Sequence, residues 1–143
     1  MKKYVSIDIG GTAIKYGLLN EAGEIIRRGK MPTEAYKGGP SILEKAAGIV
    51  EEFAETEKIH GICISTAGMV DTEKGEIIHA AYLIPQYTGT QFKKIMEERF
   101  HVRCEVENDV NCAGLAEAVT GVSKGSSVSL MLTIGTGIGG CII

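Results

Sequence analysis

Two glycine turns and one acidic helix start are the places in this 143-residue chain where residue type and spacing could do chemistry. The first is Asp8-Ile-Gly-Gly-Thr12, with Lys15 beyond it. Two glycines between strand-like runs permit positive φ and leave no Cβ in the way of a ligand. Successive backbone N–H groups in such a turn form an anion-binding concavity, to which the Thr12 hydroxyl adds a donor. Asp8 ends the preceding run, where it can hold the water shell of Mg²⁺, an ion that keeps most of its waters. A plain Gly-Gly hairpin turn with Asp8 as a turn residue is the simpler account, and G-G-T alone would not displace it.

The second turn, Gly135-Thr-Gly-Ile-Gly-Gly140, has the form G-x-G-x-x-G. As a dinucleotide fingerprint it would need a helix opening at the loop and an acidic residue about twenty positions later. Cys141-Ile-Ile143 follows instead, and no G-x-x-x-x-G-K-[ST] run occurs anywhere. What remains is two strand–glycine–strand turns, which together could grip a polyphosphate from two sides.

Glu107-Asn-Asp-Val-Asn111 lies where a strand ends and a helix opens. One of Asn108 and Asp109 is explained as an N-cap. The Asn-Asp pair also stands where α/β sheets put their ligands, at a strand's carboxyl end. A carboxylate there feels the positive end of the helix and stays ionised. It can take the proton of a sugar hydroxyl as that oxygen attacks phosphorus. No raised pKa is needed, because positioning contributes more than base strength in a loose phosphoryl-transfer transition state. Ser65-Thr-Ala-Gly68, followed by Met69-Val-Asp71, is a third strand-to-loop turn. Its small side chains and amides suit a polyhydroxylated ligand, although a plain hairpin turn explains it as well.

These residues need a scaffold. Val5–Ile9, residues 14–19 and residues 23–30 read as three strands, with turn chemistry at Asn20-Glu-Ala-Gly23. Pro40 and the capping box Ser41-Ile-Leu-Glu44 open a helix, in which Leu43, Ala46, Ala47, Val50, Phe53 and Ala54 recur at helical spacing. Ile59–Ser65 is a strand and Gly75–His79 the second arm of a short hairpin. Phe92, Ile95, Met96 and Phe100 mark a second helix, Val102–Glu107 a strand, and Val110 to Val119 a third helix starting near Asn108. Ser127–Ile134 and Ile138–Ile143 are strands around Gly135-Thr-Gly137. The order βββ-α-β-α-β-α gives an α/β fold, a mixed five-stranded sheet with helices on both faces. The last hairpin opens a second copy of the meander, so the expected division is 1–122 and a second, truncated domain from 123 to 143.

Composition sets outer bounds. An apolar fraction of 44% and a charged fraction of 23% are ordinary for a soluble globular domain. A net charge of −3 without long runs of one sign argues against nucleic acid or anionic lipid as partner. No apolar stretch reaches membrane length, and no signal sequence precedes the first strand. The four cysteines, Cys63, Cys104, Cys112 and Cys141, lack zinc spacing. Cys63 and Cys141 read as buried thiols in a reducing compartment, making the cytoplasm the expected location. The chain stops within an apolar strand, Ile138–Ile143, whose open edge is expected to be poorly ordered or to pair with a second copy, as in a homodimer.

Taken together, the motifs resemble those of the ROK family of sugar kinases and repressors, in the actin-like ATPase superfamily with its ribonuclease H-like fold. The resemblance runs over the whole chain with four motifs in family order: Asp8–Thr12 with Lys15, Ser65–Asp71, Glu107–Ala113, and Leu132–Gly140. It implies an ATP-dependent hexose kinase acting on glucose or an N-acetylated hexosamine. Asp109 is then the general base, and Asn108, Ala67 and Gly68 meet the sugar beside it. Gly10, Gly11, Thr12, Lys15, Thr136 and Gly137 hold ATP phosphates, and Asp8 positions Mg²⁺ through water. Zinc is not expected in this chain, since the family's cysteine motif and adenine pocket fall later than residue 143. The present 143 residues, as an N-terminal portion, are expected to be inactive alone. Two departures stand out. Ala67 replaces a proline common before the sugar-loop glycine, and Tyr82-Leu83 stand where relatives place a sugar-binding asparagine, so the sugar is left open. A sensor without turnover and a different actin-like ATPase are the competing readings; the repressor branch is disfavoured because only seven residues precede Asp8.

Overall fold

The structure is a computed structural model, and it describes residues 1–80, 84–135 and 137–143. They form two compact units, Met1–Glu107 and Asn108–Ile143.

The first unit opens with three strands, β1 (Lys3–Ile9), β2 (Ala13–Asn20) and β3 (Ile25–Pro32), each antiparallel to the next. Helix α1 (Gly39–Ala54) follows, then β4 (Gly61–Thr66), which runs parallel to β1. A small ribbon of β5 (Met69–Asp71) and β6 (Glu76–His79) precedes α2 (Phe92–Phe100) and β7 (Arg103–Asn108). Sheet order is β3-β2-β1-β4-β7, so the mixed five-stranded sheet expected from the element order is present.

Period-two alternation decides the faces. Val5, Ile7 and Ile9 of β1 are buried together with Ile14, Leu18, Ile62 and Ile64 of its neighbours. Ile42, Ala46, Ile49, Val50 and Phe53 of α1 and Phe92 and Met96 of α2 join the same core. Each fully buried aliphatic or aromatic side chain contributes about 1.5–3 kcal/mol. The alternate residues Ser6 and Asp8 point to the opposite face, which is what leaves Asp8 available at the sheet surface. The same alternation corrects one expectation. Cys63 is exposed rather than buried, because its neighbours Ile62 and Ile64 take the core side of β4. Cys141 is buried as expected.

Helix α1 begins at Gly39, before the capping box read from Ser41, and its N-cap Gly38 makes no side-chain bond. The reason is tertiary. The Gly39 amide donates to the Pro85 carbonyl at 2.8 Å, and a Cβ on Gly39 would lie 2.2 Å from the Gln86 oxygen. Pro40, in the first turn, has no N–H to satisfy.

In the second unit, α3 (Asp109–Thr120) packs with an antiparallel hairpin of β8 (Leu130–Ile134) and β9 (Ile138–Ile142). Gly114 of α3 and Gly139 of β9 make that approach possible: a Cβ on Gly114 would sit 2.7 Å from Cys141 Sγ, and one on Gly139 would sit 2.5 Å from Val110 Cγ2. The Cys141 thiol donates to the Val110 carbonyl at 3.3 Å. A strand, not a helix, follows the second glycine turn, as the rejection of a dinucleotide fingerprint required.

Candidate functional site

Parallel pairing of β1 with β4 matches Asp8 to Ser65 and Ile9 to Thr66. Both strands therefore end together, and the turn Gly10–Thr12 and the turn Ala67–Gly68 leave the same end of the sheet. Ser65 Oγ donates to Asp8 Oδ1 at 2.8 Å. On its other side Asp8 is paired in register with Lys15, and Lys15 is paired in turn with Lys30. Like charges set directly opposite one another destabilise a sheet, and an anion seated between them offsets that repulsion. A groove of about 560 Å³ runs over this face, lined by Asp8, Lys15, Arg28 and Lys30 among strand residues.

The first glycine turn closes with the Gly10 amide donating to the Ala13 carbonyl at 3.0 Å. Neither Gly10 nor Gly11 adopts positive φ, in contrast to the reason first given for them. Space is the reason instead. A Cβ on Gly10 would lie 3.0 Å from the Ala13 oxygen, whereas Gly11 faces nothing within 4 Å and is exposed with Thr12. The turn is held from behind by Thr33, a residue that motif reading passed over. Its hydroxyl donates to the Gly10 carbonyl at 2.6 Å and its amide to the Thr12 carbonyl at 3.0 Å. Lys45 of α1 fixes this strap by donating to the Pro32 and Thr33 carbonyls at 2.7 and 3.1 Å and to Glu34. Hydrogen bonds from Lys37 and Lys45 hold the Glu34 carboxyl down at about 2, so the clamp stays ionised.

In the other turn, Gly68 has φ +101°, and a Cβ there would meet the His79 carbonyl at 2.9 Å, so glycine is required. Thr66, just ahead of it, is completely buried and donates from Oγ1 to the Ala67 carbonyl at 3.1 Å. Tyr82 and Leu83, noted as a departure from the family pattern, lie outside the described residues.

Within the second unit, Asn108 caps α3 by accepting from the Val110 amide at 2.9 Å and the Asn111 amide at 3.3 Å. The Asp109 carboxylate is exposed at the helix start, where its Oδ1 also accepts from the Val110 amide at 2.9 Å. Asn108 therefore does the capping, which leaves Asp109 in the helix's positive field without being needed as the cap. The Gly135 amide donates to the Gly137 carbonyl at 2.9 Å, and neither glycine has a neighbour within 4 Å of where a Cβ would be. Thr136 lies outside the described residues.

Among the described residues no group of three or more His, Cys, Asp and Glu side chains is gathered as metal donors. A single carboxylate on an open face, with one oxygen already bonded to Ser65, fits Mg²⁺ held through its own waters rather than an all-protein cage.

Strand order, the antiparallel meander and the parallel β1–β4 step define the class: an α/β domain of the actin-like ATPase fold. A glucokinase of Streptomyces griseus, solved with glucose and AMPPNP, superposes with a TM-score of 0.85 at 29% identity, covering 99% of this chain and 44% of that one. The ROK family model matches residues 4–143, and the chain belongs to the ROK family. An uncharacterized protein of Clostridium perfringens is 52% identical over 143 residues, which is all of this chain and 48% of that protein. A glucokinase of Halalkalibacterium halodurans is 32% identical over 98% of this chain and 43% of its own length. The chain thus spans about half the length of these relatives.

Proposed function

We propose that the protein to which this chain belongs transfers the γ-phosphoryl group of ATP to a hydroxyl of a hexose, of the glucose or N-acetylhexosamine type. The observation that carries this reading is the shared sheet end, where the open Gly10–Thr12 turn and the Ala67–Gly68 turn leave adjacent parallel strands with Asp8 bonded to Ser65 between them. Relatives named as glucokinases support the reaction class.

In this reading the amides of Gly10, Gly11 and Thr12 and the Lys15 ammonium receive ATP phosphates, joined by Thr136 and Gly137 of the second glycine turn. Asp8 holds Mg²⁺ through water, and the bound ion would neutralise phosphate charge. Ala67, Gly68 and Asn108 orient the sugar. Asp109 accepts the proton of the attacking hydroxyl. Its exposure at the start of α3 leaves it open to that hydroxyl. The division at 122/123 belongs to this proposal, with residues 123–143 opening a second domain. The isolated chain turns over negligibly, because donor and acceptor must be held together in a closed cleft.

The test is sugar-stimulated ATP consumption by the full-length protein across a hexose panel, beside a sugar-binding titration. Asp109→Asn is expected to lower turnover by about 10²–10⁴-fold with little change in sugar affinity. Near-normal turnover of that variant removes Asp109 from the role. Sugar binding with no ATP consumption by the wild type points to a sensor instead.

A further inference from the structure

Thr66 and Tyr87 are two hydroxyl side chains meeting inside the apolar core, 0% and 1% exposed. Their oxygens are within hydrogen-bond contact. A threonine hydroxyl carries one proton. Thr66 spends that proton on the Ala67 carbonyl, so the shared bond to Tyr87 is donated by the tyrosine. The result is a directed chain, from Tyr87 O–H to Thr66 Oγ1–H to the Ala67 carbonyl. A peptide unit is planar, so fixing that carbonyl fixes the whole Ala67–Gly68 peptide, including the direction of the Gly68 amide. Gly68, at φ +101°, has its backbone direction set by this chain, and the nearby His79 carbonyl leaves no room for a Cβ there.

Tyr87 is itself held at every point a brace needs. Its ring packs edge-on against Phe92 at 6.1 Å. Its carbonyl accepts from the Thr90 amide at 3.1 Å and the Thr90 hydroxyl at 2.7 Å. The segment around it is tied to α1 by the Gly39 amide on Pro85, and to β6 by the Gly89 amide on Ile77 at 2.7 Å and the Ile77 amide on Thr90 at 3.1 Å. A hydroxyl pair buried this deeply costs desolvation that an apolar pair would not, which a purely structural contact does not require.

We infer that Tyr87 is a positioning residue for sugar binding: through Thr66 it sets the orientation of the Ala67–Gly68 peptide. The inference rests on the proposed role of that turn in holding the sugar. Tyr87→Phe removes the donor while keeping the ring, and Thr66→Val removes the relay while keeping the volume. In the full-length protein each is expected to raise KM for the sugar about ten-fold, while kcat and KM for ATP stay within about two-fold, the pattern of lost uniform binding. Because both act through one chain, the double variant is expected to resemble the single variants rather than multiply them. Thr66→Ser, which keeps the hydroxyl, is expected to restore the wild-type KM. Unchanged sugar KM in Tyr87→Phe, or a loss shared equally by both substrates and by the melting temperature, overturns the assignment while leaving the kinase reading intact. A wild-type protein that consumes no ATP with any hexose overturns the kinase reading, and this inference with it.

Discussion

The Thr33 hydroxyl reaches the Gly10 carbonyl at 2.6 Å and its amide reaches the Thr12 carbonyl at 3.0 Å, so the proposed phosphate turn is braced by a residue 23 positions after Gly10. Thr33 is fully buried, and removing its hydroxyl leaves the half-buried Gly10 carbonyl without that partner. Thr33→Val is expected to destabilise the first unit by about 1–3 kcal/mol, read by denaturant unfolding, and to raise KM for ATP without altering KM for the sugar. Equal effects on both substrates would argue for general loosening. Asp8, Gly10–Thr12 and Asp109 stood out in the sequence because their residue types carry their chemistry with them. Thr33 and Lys30 did not, and Ser65 was legible only as part of a turn, not as the partner of Asp8. A buried threonine and an exposed lysine in a strand look like any others until strand pairing puts them beside Gly10, Lys15 and Asp8.

At the scale of elements, β7 places Cys104 fully inside the core. Burial foremost, with the Glu97 carboxylate adding to it, pushes this thiol up to about 12 from its ordinary 9.0. The folded state therefore holds its proton longer than the unfolded chain does. The associated stability is fully present below about pH 9 and is lost as pH rises toward about 12, at roughly 1.4 kcal/mol per unit. Denaturant midpoints measured across that window should fall, and Cys104→Ala should flatten the fall; an unchanged slope in the variant would assign the loss to other groups. In the second unit, α3 and β9 meet through Gly139, where a Cβ would lie 2.5 Å from Val110 Cγ2 and 2.8 Å from Thr133 Oγ1. Gly139→Ala is expected to cost about 1–3 kcal/mol by overpacking. The helix and strand order was legible from hydrophobic period, and the α1 start was not. Ser41-Ile-Leu-Glu44 has the form of a capping box, but the Gly39 bond to Pro85 is a contact across more than forty residues that no local pattern encodes.

For the whole molecule, the outer face of the β8–β9 hairpin carries Leu130, Leu132, Ile134, Ile138 and Ile142, all well exposed. Inward residues Met131, Thr133, Gly139 and Cys141 face α3, so alternation leaves this second apolar stripe without cover. A contiguous exposed apolar patch of this kind favours association. The isolated 143-residue chain is expected to run larger than 15.2 kDa in light-scattering chromatography. Leu132→Lys with Ile138→Lys should return it to a monomer. A wild-type monomer at all concentrations would show that the stripe is tolerated in water. Among the described residues no helix is long and apolar enough to cross a membrane.

By itself the sequence determined the element order, the five-stranded sheet, the family, and the residues whose chemistry is intrinsic to their type. Those are properties of local pattern: period two or 3.6, glycine in turns, a carboxylate at a helix start. Only the tertiary structure decided that β1 and β4 end in register, that Ser65 bonds Asp8, that Thr33 and Lys45 brace one turn, and that Tyr87 reaches Thr66 beneath the other. The physical reason is that a hydrogen bond depends on distance in space. Residues far apart in sequence acquire their partners only when the sheet pairs and the core closes.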